Sequence, residues 1–385
     1  MINATVDRNE LSGFKCSRSG PSISHLFFAD DSLFFSKATR KDCLVLKRIL
    51  DDYASASGQV VNFNKSALCV SNSVSSTVAT ELANVIGVNL VPCHERYLGL
   101  PSFAGRNKKV LFTSIKDQIW DKIKGWRDKL LSVGGKEILV KAVVQSIPTY
   151  VMSLFQLPKG LISEIHKMCA RFWWRSSDTR RKIHWCSWQR MCAGKTDGGL
   201  GFRDLLVFNR ALLAKQGWRL INNPDSLAAR ILKSCYFPDT SFLQAEVCRS
   251  GSMVWKGILW GRGILEGGSR WRIGDGSEVR IYHDRWLPRP TTFKTISPQV
   301  LEDKVMVSSL ILASGAWNVP LIRASFLPED ADSILSLPLS SFRHKDRLQW
   351  YYENSGAFSV RSGYKVGLSM ETSPSSSGLS GLESW

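Results

Sequence analysis

The stretch "SHLFFADDSLFF", Ser24 to Phe35, places two adjacent acids, Asp30 and Asp31, between two of the most apolar runs in the chain. Both flanks are too short for a helix and are rich in aromatic and aliphatic residues, so residues 23–35 read as strand, tight turn, strand. Flanks of this kind call for burial, which puts the acids at the tip of a hairpin fixed to a sheet. Most adjacent acid pairs lie on solvated surfaces or cap helices. Two carboxylates held close repel each other, and protonation or a cation relieves the strain. A hard divalent cation with oxygen ligands is one source of relief. Two such ions, about 4 Å apart, clamp the attacking and leaving oxygens of a phosphoryl transfer. A hairpin suits that work because a rigid element fixes ligands more tightly than a loop.

Outward from this stretch, "ATRKDCLVLKRILDDYASASG" carries Leu46, Ile49, Leu50 and Tyr53 at helical spacing, with Gly58 as a C-cap. "QVVNFNKSALCVS" is β-branched and alternating, and predicts two short strands around Asn64. "STVATELANVIG" predicts an amphipathic helix, and "ERYLGLPSFAG" a strand ending at Pro101. Strands and helices therefore alternate up to about residue 103, an α+β or α/β pattern. After Gly105 the pattern turns helical, through "NKKVLFTSIKDQIWDKIKGWRDKLL", "GGKEILVKAVVQSIP", "GLISEIHKMCARFWW" and "GGLGFRDLLVFNRALLAKQGWRLI". Past about residue 250, "SRWRIGDGSEVRIYHDRWLP" predicts a hairpin about its Asp-Gly turn. "DRLQWYYENSGAFSVRSGYKV" predicts a hairpin leading into a helix, and the Ser/Gly-rich tail is expected to be disordered.

The 385 residues carry 51 Lys and Arg against 33 Asp and Glu, a net charge of +18. Residues 106–195 hold 19 of those cations and only 6 acids, so +13 of the excess sits in one helical segment. Such a surplus favours a polyanionic partner, nucleic acid or an acidic membrane surface. No helix pattern sets a strongly apolar face against a Lys-rich one, which weakens the membrane alternative. No run approaches the length of a transmembrane helix, and the polar N-terminus lacks a signal-peptide core, so nucleus or cytoplasm is expected. The nine Cys are scattered without a C-x-x-C pair and read as small buried hydrophobes. His184, Cys186 and Cys192 are the one tight group with zinc-binding chemistry, and they lack the paired spacing of a zinc knuckle.

"ISHLFFADDSLFF" resembles the F-A-D-D palm motif of reverse transcriptases from non-LTR (LINE-type) retrotransposons, particularly those of plants. Further stretches follow in the same order. "ASGQVVNFNKS" is similar to the next palm motif, with Gly58, Asn62, Lys65 and Ser66 as its core. "RYLGLPS" is similar to the Y-L-G-x-P segment beyond it. "WRDKLLSVGGKEILVKAVVQSIPTYVMSLFQLP" and "GGLGFRDLLVFNRALLAKQGWRL" resemble the region downstream of the palm, with "SRWRIGDGSEVRIYHDRWLP" in the same context, and "LQWYYENSGAFSVRSGYKV" resembles the opening of a zinc-binding domain.

The resemblance implies an α+β chain divided into a partial polymerase palm (1–103), a basic, helical, thumb-like and Trp-rich region (104–250), a β-rich connector (251–340) and the truncated start of a zinc-binding domain with its tail (341–385). It implies that Asp30 and Asp31 are the metal-binding catalytic acids, served by Mg2+ or Mn2+, and that no zinc site is complete. Lys65 would lie near the incoming nucleoside triphosphate; a solvated Lys after a turn is the equal alternative. Tyr97 and Gly99 would support the primer end. Lys108, Lys109, Lys122, Lys124, Arg127, Lys129, Lys136 and Lys141 would contact the phosphates of an RNA template and DNA primer, contacts that depend on salt and ignore sequence. Trp173, Trp174, Trp185 and Trp188 are candidates either for base stacking or for the core. The F-D-x-x-K-A-type strand with the third metal-binding acid, and the Q-G-x-P-x-S-P motif, do not occur in this sequence. An RNA-directed DNA polymerase fragment without independent activity is therefore expected, with a non-catalytic nucleic-acid-binding remnant or a non-functional translated fragment as alternatives.

Overall fold

The computed structural model describes residues 1–92, 108–127, 129–175, 182–248, 250–289, 292–339 and 344–372, with the side chains of residues 108–111, 127 and 372 left aside. The chain is α+β, with helices predominating and short two-stranded sheets. It divides into two compact units, Met1–Asp121 with Asn223–Glu246, and Lys122–Asn222 with Val247–Trp385.

The first unit begins with α1 (Ile2–Asp7), then β1 (Phe14–Lys15) paired antiparallel with β2 (Ser22–Ile23). The predicted hairpin follows as β3 (His25–Phe28) and β4 (Asp31–Phe34), in the register His25 to Phe34 through Phe28 to Asp31. Next comes α2 (Arg40–Ser57). Thr39 caps it by accepting from the Asp42 N–H at 3.2 Å, while its hydroxyl donates to the Asp42 carboxylate at 2.8 Å. Gly58 closes it at φ 70, as the sequence predicts. β5 (Ala67–Leu68) pairs in parallel with β6 (Asn89–Leu90), and α3 (Ser76–Ile86) joins them. Cys43, Leu46 and Ile49 of α2, with Ala79, Leu82 and Ala83 of α3, are the buried faces of this pair. α4 (Lys108–Arg127), whose residues from Lys122 on are counted in the second unit, carries the buried stripe Phe112, Ile115, Ile119 and Ile123.

In the second unit, α5 (Val133–Ile138) runs into a π-helical turn over Leu139–Val144, followed by α6 (Thr149–Met152), α7 (Lys159–Trp173), α8 (Trp188–Cys192) and α9 (Leu205–Asn222). α10 (Leu227–Tyr236) belongs to the first unit. The second resumes with α11 (Met253–Gly268), β7 (Ser269–Arg272), α12 (Val319–Ser325), α13 (Pro328–Leu335), β8 (Arg347–Trp350) and α14 (Val360–Thr372). α9 is buried along most of its length and packs against α11 and α14. Gly261 makes the α9–α11 approach possible, because a Cβ there would lie 2.4 Å from the Ala214 nitrogen. The fully buried Asn209 donates to the carbonyls of Met152 and Phe155 at 2.7 and 2.9 Å and accepts from Leu157 N–H at 2.8 Å. It thereby ties the 152–157 segment to α9 with its amide hydrogen-bonded on both sides.

Four expectations need correction. The 23–35 hairpin forms, yet its flanks are only partly buried: Leu26, Leu33, Phe34 and Phe35 are half-buried, while Phe27 and Phe28 are 58% and 60% exposed. Among the described residues β3 and β4 pair only with each other, so no further strand extends this sheet. Residues 59–62 form no strand, and Val60 is 85% exposed, because no partner strand lies beside them. The Asp-Gly turn closes no β7 hairpin. β7 pairs instead with β8, nearly eighty residues on, in the register Ser269 to Trp350 through Arg272 to Arg347. The cause is the buried Asp346 carboxylate, which accepts from the N–H groups of Gly274, Gly276 and Glu278 at 2.7, 3.0 and 2.9 Å and wraps the loop around itself. After β8 the chain makes a turn, with Trp350 N–H donating to Gly356 carbonyl at 2.7 Å, and enters α14 without a second hairpin strand. The predicted "RYLGLPS" strand and all but the first residues of the Ser/Gly-rich tail lie outside the described residues.

Candidate functional site

The hairpin tip is a two-residue turn of Ala29 and Asp30, closed by the Phe28–Asp31 pair. Ala29 takes φ 50. Glycine normally fills the first turn position when it carries the positive φ, and an alanine there costs about 1–2 kcal/mol. Strand alternation sets Leu26, Phe28, Asp31 and Leu33 on one face and His25, Phe27, Ser32 and Phe34 on the other. The second face is an aromatic strip, with ring centroids 4.7 Å apart for His25–Phe27 and 5.8 Å for the edge-on Phe27–Phe34 pair. Asp30 and Asp31 are both exposed at the tip of the hairpin.

Among the described residues no group of three or more His, Cys, Asp or Glu is placed to hold a metal. Magnesium needs only one or two protein carboxylates when water and substrate phosphates complete its octahedron. Two carboxylates do not amount to an all-protein cage, so an ion at Asp30 and Asp31 would need water and a phosphate ligand to complete its shell.

Lys65 is exposed on the turn after Asn62, whose side-chain and backbone oxygens accept from the Lys65 N–H at 3.2 and 3.1 Å. The Asn-x-x-Lys-Ser spacing is thus that of a turn pinned by its own side chain. Among the described residues no hydrogen bond or ion pair links Lys65 to Asp30 or Asp31. Tyr97 and Gly99 lie outside the described residues.

The basic residues divide by environment. Lys122 and Lys124 are exposed on α4, and Lys129 is exposed just beyond it. Lys108, Lys109 and Arg127 have helical backbone, and their side chains lie outside the description. Lys136 is buried and donates to the Trp173 carbonyl at 3.1 Å. Burial lowers its pKa, assisted by the charges of Arg175 and Lys182. Lys141 donates to Glu137 and to the Leu200 carbonyl, both at 2.7 Å, and lies over the Phe202 ring. These last two ammonium groups tie the second unit together and are not presented to a phosphate chain.

Composition and motif do not single out a cleft of about 400 Å³ in the second unit, between α7, α8 and the start of α9. Lys159, Ser163, His166, Lys167, Trp188 and Asp204 are among its lining residues. Asp204 caps α9, its carboxylate accepting from Leu206 and Val207 N–H at 2.8 and 3.3 Å. An acid directly before an apolar helical run is the sequence signal for this cap. His166 Nε2 accepts from Leu205 N–H at 3.2 Å, and burial lowers its pKa against the opposing charge of Asp204. The ring is therefore neutral where it packs. Near this cleft Cys192 is buried and its thiol is pushed well above its ordinary range by burial, with Asp204 and Cys169 adding to the shift.

No protein-family model matches the chain. Over 143 residues it is 44% identical to the "Uncharacterized mitochondrial protein AtMg00310" of Arabidopsis thaliana, a match covering 37% of this chain and 93% of that protein. The chain belongs to that protein's family. It is also 30% identical over 278 residues to the "Putative ribonuclease H protein At1g65750" of Arabidopsis thaliana. This second match takes in 69% of the chain and 44% of the relative, so the chain spans less than half of that relative's length.

Proposed function

We propose that the chain is part of an RNA-directed DNA polymerase of a plant non-LTR retrotransposon, and that it binds template–primer without catalysing extension alone. The single observation that carries this reading is the antiparallel hairpin presenting Asp30 and Asp31 side by side at an exposed tip. The second relative supports it, since ribonuclease H denotes a nucleic-acid-processing activity. The cation excess of residues 106–195 supports it as well. In this reading residues 1–103 are the palm portion, 104–250 the thumb-like and Trp-rich portion, 251–340 a connector and 341–385 the opening of a zinc-binding domain.

Asp30 and Asp31 would hold Mg2+ or Mn2+, and the ion would neutralise charge on the transferred phosphoryl group. Lys65, Tyr97 and Gly99 would serve the nucleotide and the primer end. Lys122, Lys124 and Lys129 would hold duplex phosphates, with Lys108, Lys109 and Arg127 on the same segment. A non-catalytic binding remnant is the reading favoured by one specific observation: the two acids have no third acidic partner among the described residues.

The test is metal binding at the tip. Manganese is titrated into wild type and into Asp30→Ala/Asp31→Ala, with free Mn2+ read by its paramagnetic resonance signal. The proposal expects weak binding in wild type that tightens when a template–primer and a nucleoside triphosphate are present, and its loss in the double variant. Equal titrations in the two proteins would remove the metal role from the hairpin.

A further inference from the structure

Cys16 and Cys235 are far apart in the sequence and belong to one compact unit, because Asn223–Glu246 is grouped with Met1–Asp121. Cys16 opens the turn that joins β1 to β2, and Cys235 lies in the last turn of α10. The β1–β2 turn bends back on itself, with Gly20 N–H donating to the Ser17 carbonyl at 3.2 Å. Gly20 is buried, and a Cβ there would lie 2.7 Å from the Ser17 hydroxyl oxygen and 2.8 Å from that of Ser234. Both serines thus press on the same glycine, which seats the turn directly on the end of α10. The Ser17 hydroxyl oxygen is buried in that contact. The Ser234 hydroxyl donates to the Ile231 carbonyl at 2.9 Å, so it follows the helix backbone closely. Cys16 and Cys235 are the chain neighbours of these two serines.

The two thiols also act on each other. Burial raises the pKa of Cys16, and the charge of the Cys235 thiolate raises it further, an effect that requires closeness. Both thiols are free; Cys16 is exposed and Cys235 is half-buried. Neither is the buried small hydrophobe that the scattered cysteines suggest. Cys169 and Cys192 also sense each other, but both are buried, away from any reagent in solution. Neighbouring thiols with one facing solvent match thiol–disulfide exchange with a small-molecule disulfide.

We infer that Cys16 and Cys235 form a reversible disulfide that fastens the β1–β2 turn to α10 when the chain is oxidised. The inference stands apart from the polymerase reading. Cys16, open to solvent, attacks as thiolate one sulfur of glutathione disulfide; a mixed disulfide forms and one glutathione thiolate leaves. The Cys235 thiolate then attacks the Cys16 sulfur, the protein S–S bond forms and the second glutathione thiolate leaves. Two protein thiols lose two protons and two electrons, and one glutathione disulfide becomes two thiols. Because the Cys16 pKa is raised, the first step quickens as pH rises. Under reducing conditions the pair rests as thiols, so the bond is a response to oxidation. It joins covalently the two sequence segments that make up the first unit.

The experiment treats the reduced full chain with oxidised glutathione at a pH of about 8, near the ordinary thiol pKa, and reads chymotryptic peptides by mass spectrometry without reduction. The expected product is a Cys16 peptide linked to a Cys235 peptide, two hydrogens lighter than the separate thiols and released by dithiothreitol, with exposed Cys248 carrying glutathione instead. Cys235→Ser, which removes the resolving thiol and little volume, is expected to leave glutathione on Cys16. In concentrated urea, where a long open loop separates the two thiols, the link is expected to form at least about tenfold more slowly. Glutathione retained on both Cys16 and Cys235 with no link overturns the inference. A link from either one to another cysteine, or equal rates of linking in urea and in buffer, overturns it as well.

Discussion

Phe28 and Asp31 are the last paired residues of the β3–β4 ladder, so Asp30 lies in the turn and Asp31 in the strand, with Ala29 bent into positive φ between them and Phe28. The acids are held adjacent by a turn strained at a single backbone position. The Cβ of Ala29 is the cause, since glycine takes that conformation without penalty.

Ala29→Gly is therefore expected to stabilise the first unit by about 1 kcal/mol, the relief of one left-handed non-glycine residue less the added freedom of glycine in the unfolded chain. A rise in the urea midpoint measures it. A fall would mean that the turn relaxes away from this geometry in solution.

The basic residues named from sequence divide into two groups with opposite behaviour. Lys136 donates to Trp173 carbonyl from a buried site, whereas Lys122 and Lys124 stand exposed on α4. Lys136→Ala should lower thermal stability by roughly 1–3 kcal/mol, the cost of a lost charged hydrogen bond, and leave template–primer affinity of the folded protein unchanged. Lys122→Glu/Lys124→Glu should do the reverse. Paired melting and anisotropy measurements on the two variants check this, and similar behaviour of both would undo the division.

Asp346 holds three backbone N–H groups of the 274–278 loop with one buried carboxylate. Asn at this position keeps one acceptor oxygen and turns an NH2 donor toward donors. Asp346→Asn should cost about 3 kcal/mol, since hydrogen bonds to charged groups are the strong class. Hydrogen exchange at Gly274, Gly276 and Glu278 should accelerate first. Unchanged protection at those amides would rule the carboxylate out as the organiser of the loop.

Asp330 supplies a pH dependence. Burial pushes its carboxyl up, but the Ser297 hydroxyl and N–H, Arg289 at 2.7 Å and the Ile296 N–H outweigh it and hold the pKa below the usual carboxylate range. A folded value below the unfolded one means that the stabilisation is complete above the unfolded pKa of about 4 and is lost as pH falls through the folded value. Tryptophan fluorescence during acid titration should show the α12–α13 region loosening below pH of about 4. Asp330→Asn should be less stable at neutral pH by roughly 3–5 kcal/mol, as for a broken buried ion pair, and should lack this acid step.

The elements most legible in the sequence are those decided locally. The turn of residues 28–31, the Gly58 cap and the helical stripe of α2 depend on neighbours within a few positions, and they form as read. The elements that escaped depend on partners far along the chain. The Asp-Gly turn at residues 275–276 is a sound hairpin signal, but a carboxylate at residue 346 captures the loop and β8 takes the place of the expected strand. Residues 59–62 have strand chemistry and no strand to pair with. The site follows the same division. Adjacent acids at a turn can be read from twelve residues, whereas the fates of Lys136 and Lys141 are set by Trp173 and Leu200, whose carbonyls no sequence pattern reveals. Trp188 lies flat on Phe202 at 4.9 Å while Trp185 is 79% exposed, a sorting that likewise depends on where Phe202 lies.

Besides the acids at the hairpin tip, the functional account holds that the chain binds nucleic acid through the exposed lysines of α4 and Lys129 just beyond it. The most direct measurement is template–primer affinity of the full chain across a salt series. With exposed Lys122, Lys124 and Lys129 on phosphates, the logarithm of the association constant should fall against the logarithm of salt with a slope of about −3, close to −0.9 per neutralised phosphate. The same affinity at low and moderate salt, or no binding at either, would contradict the account.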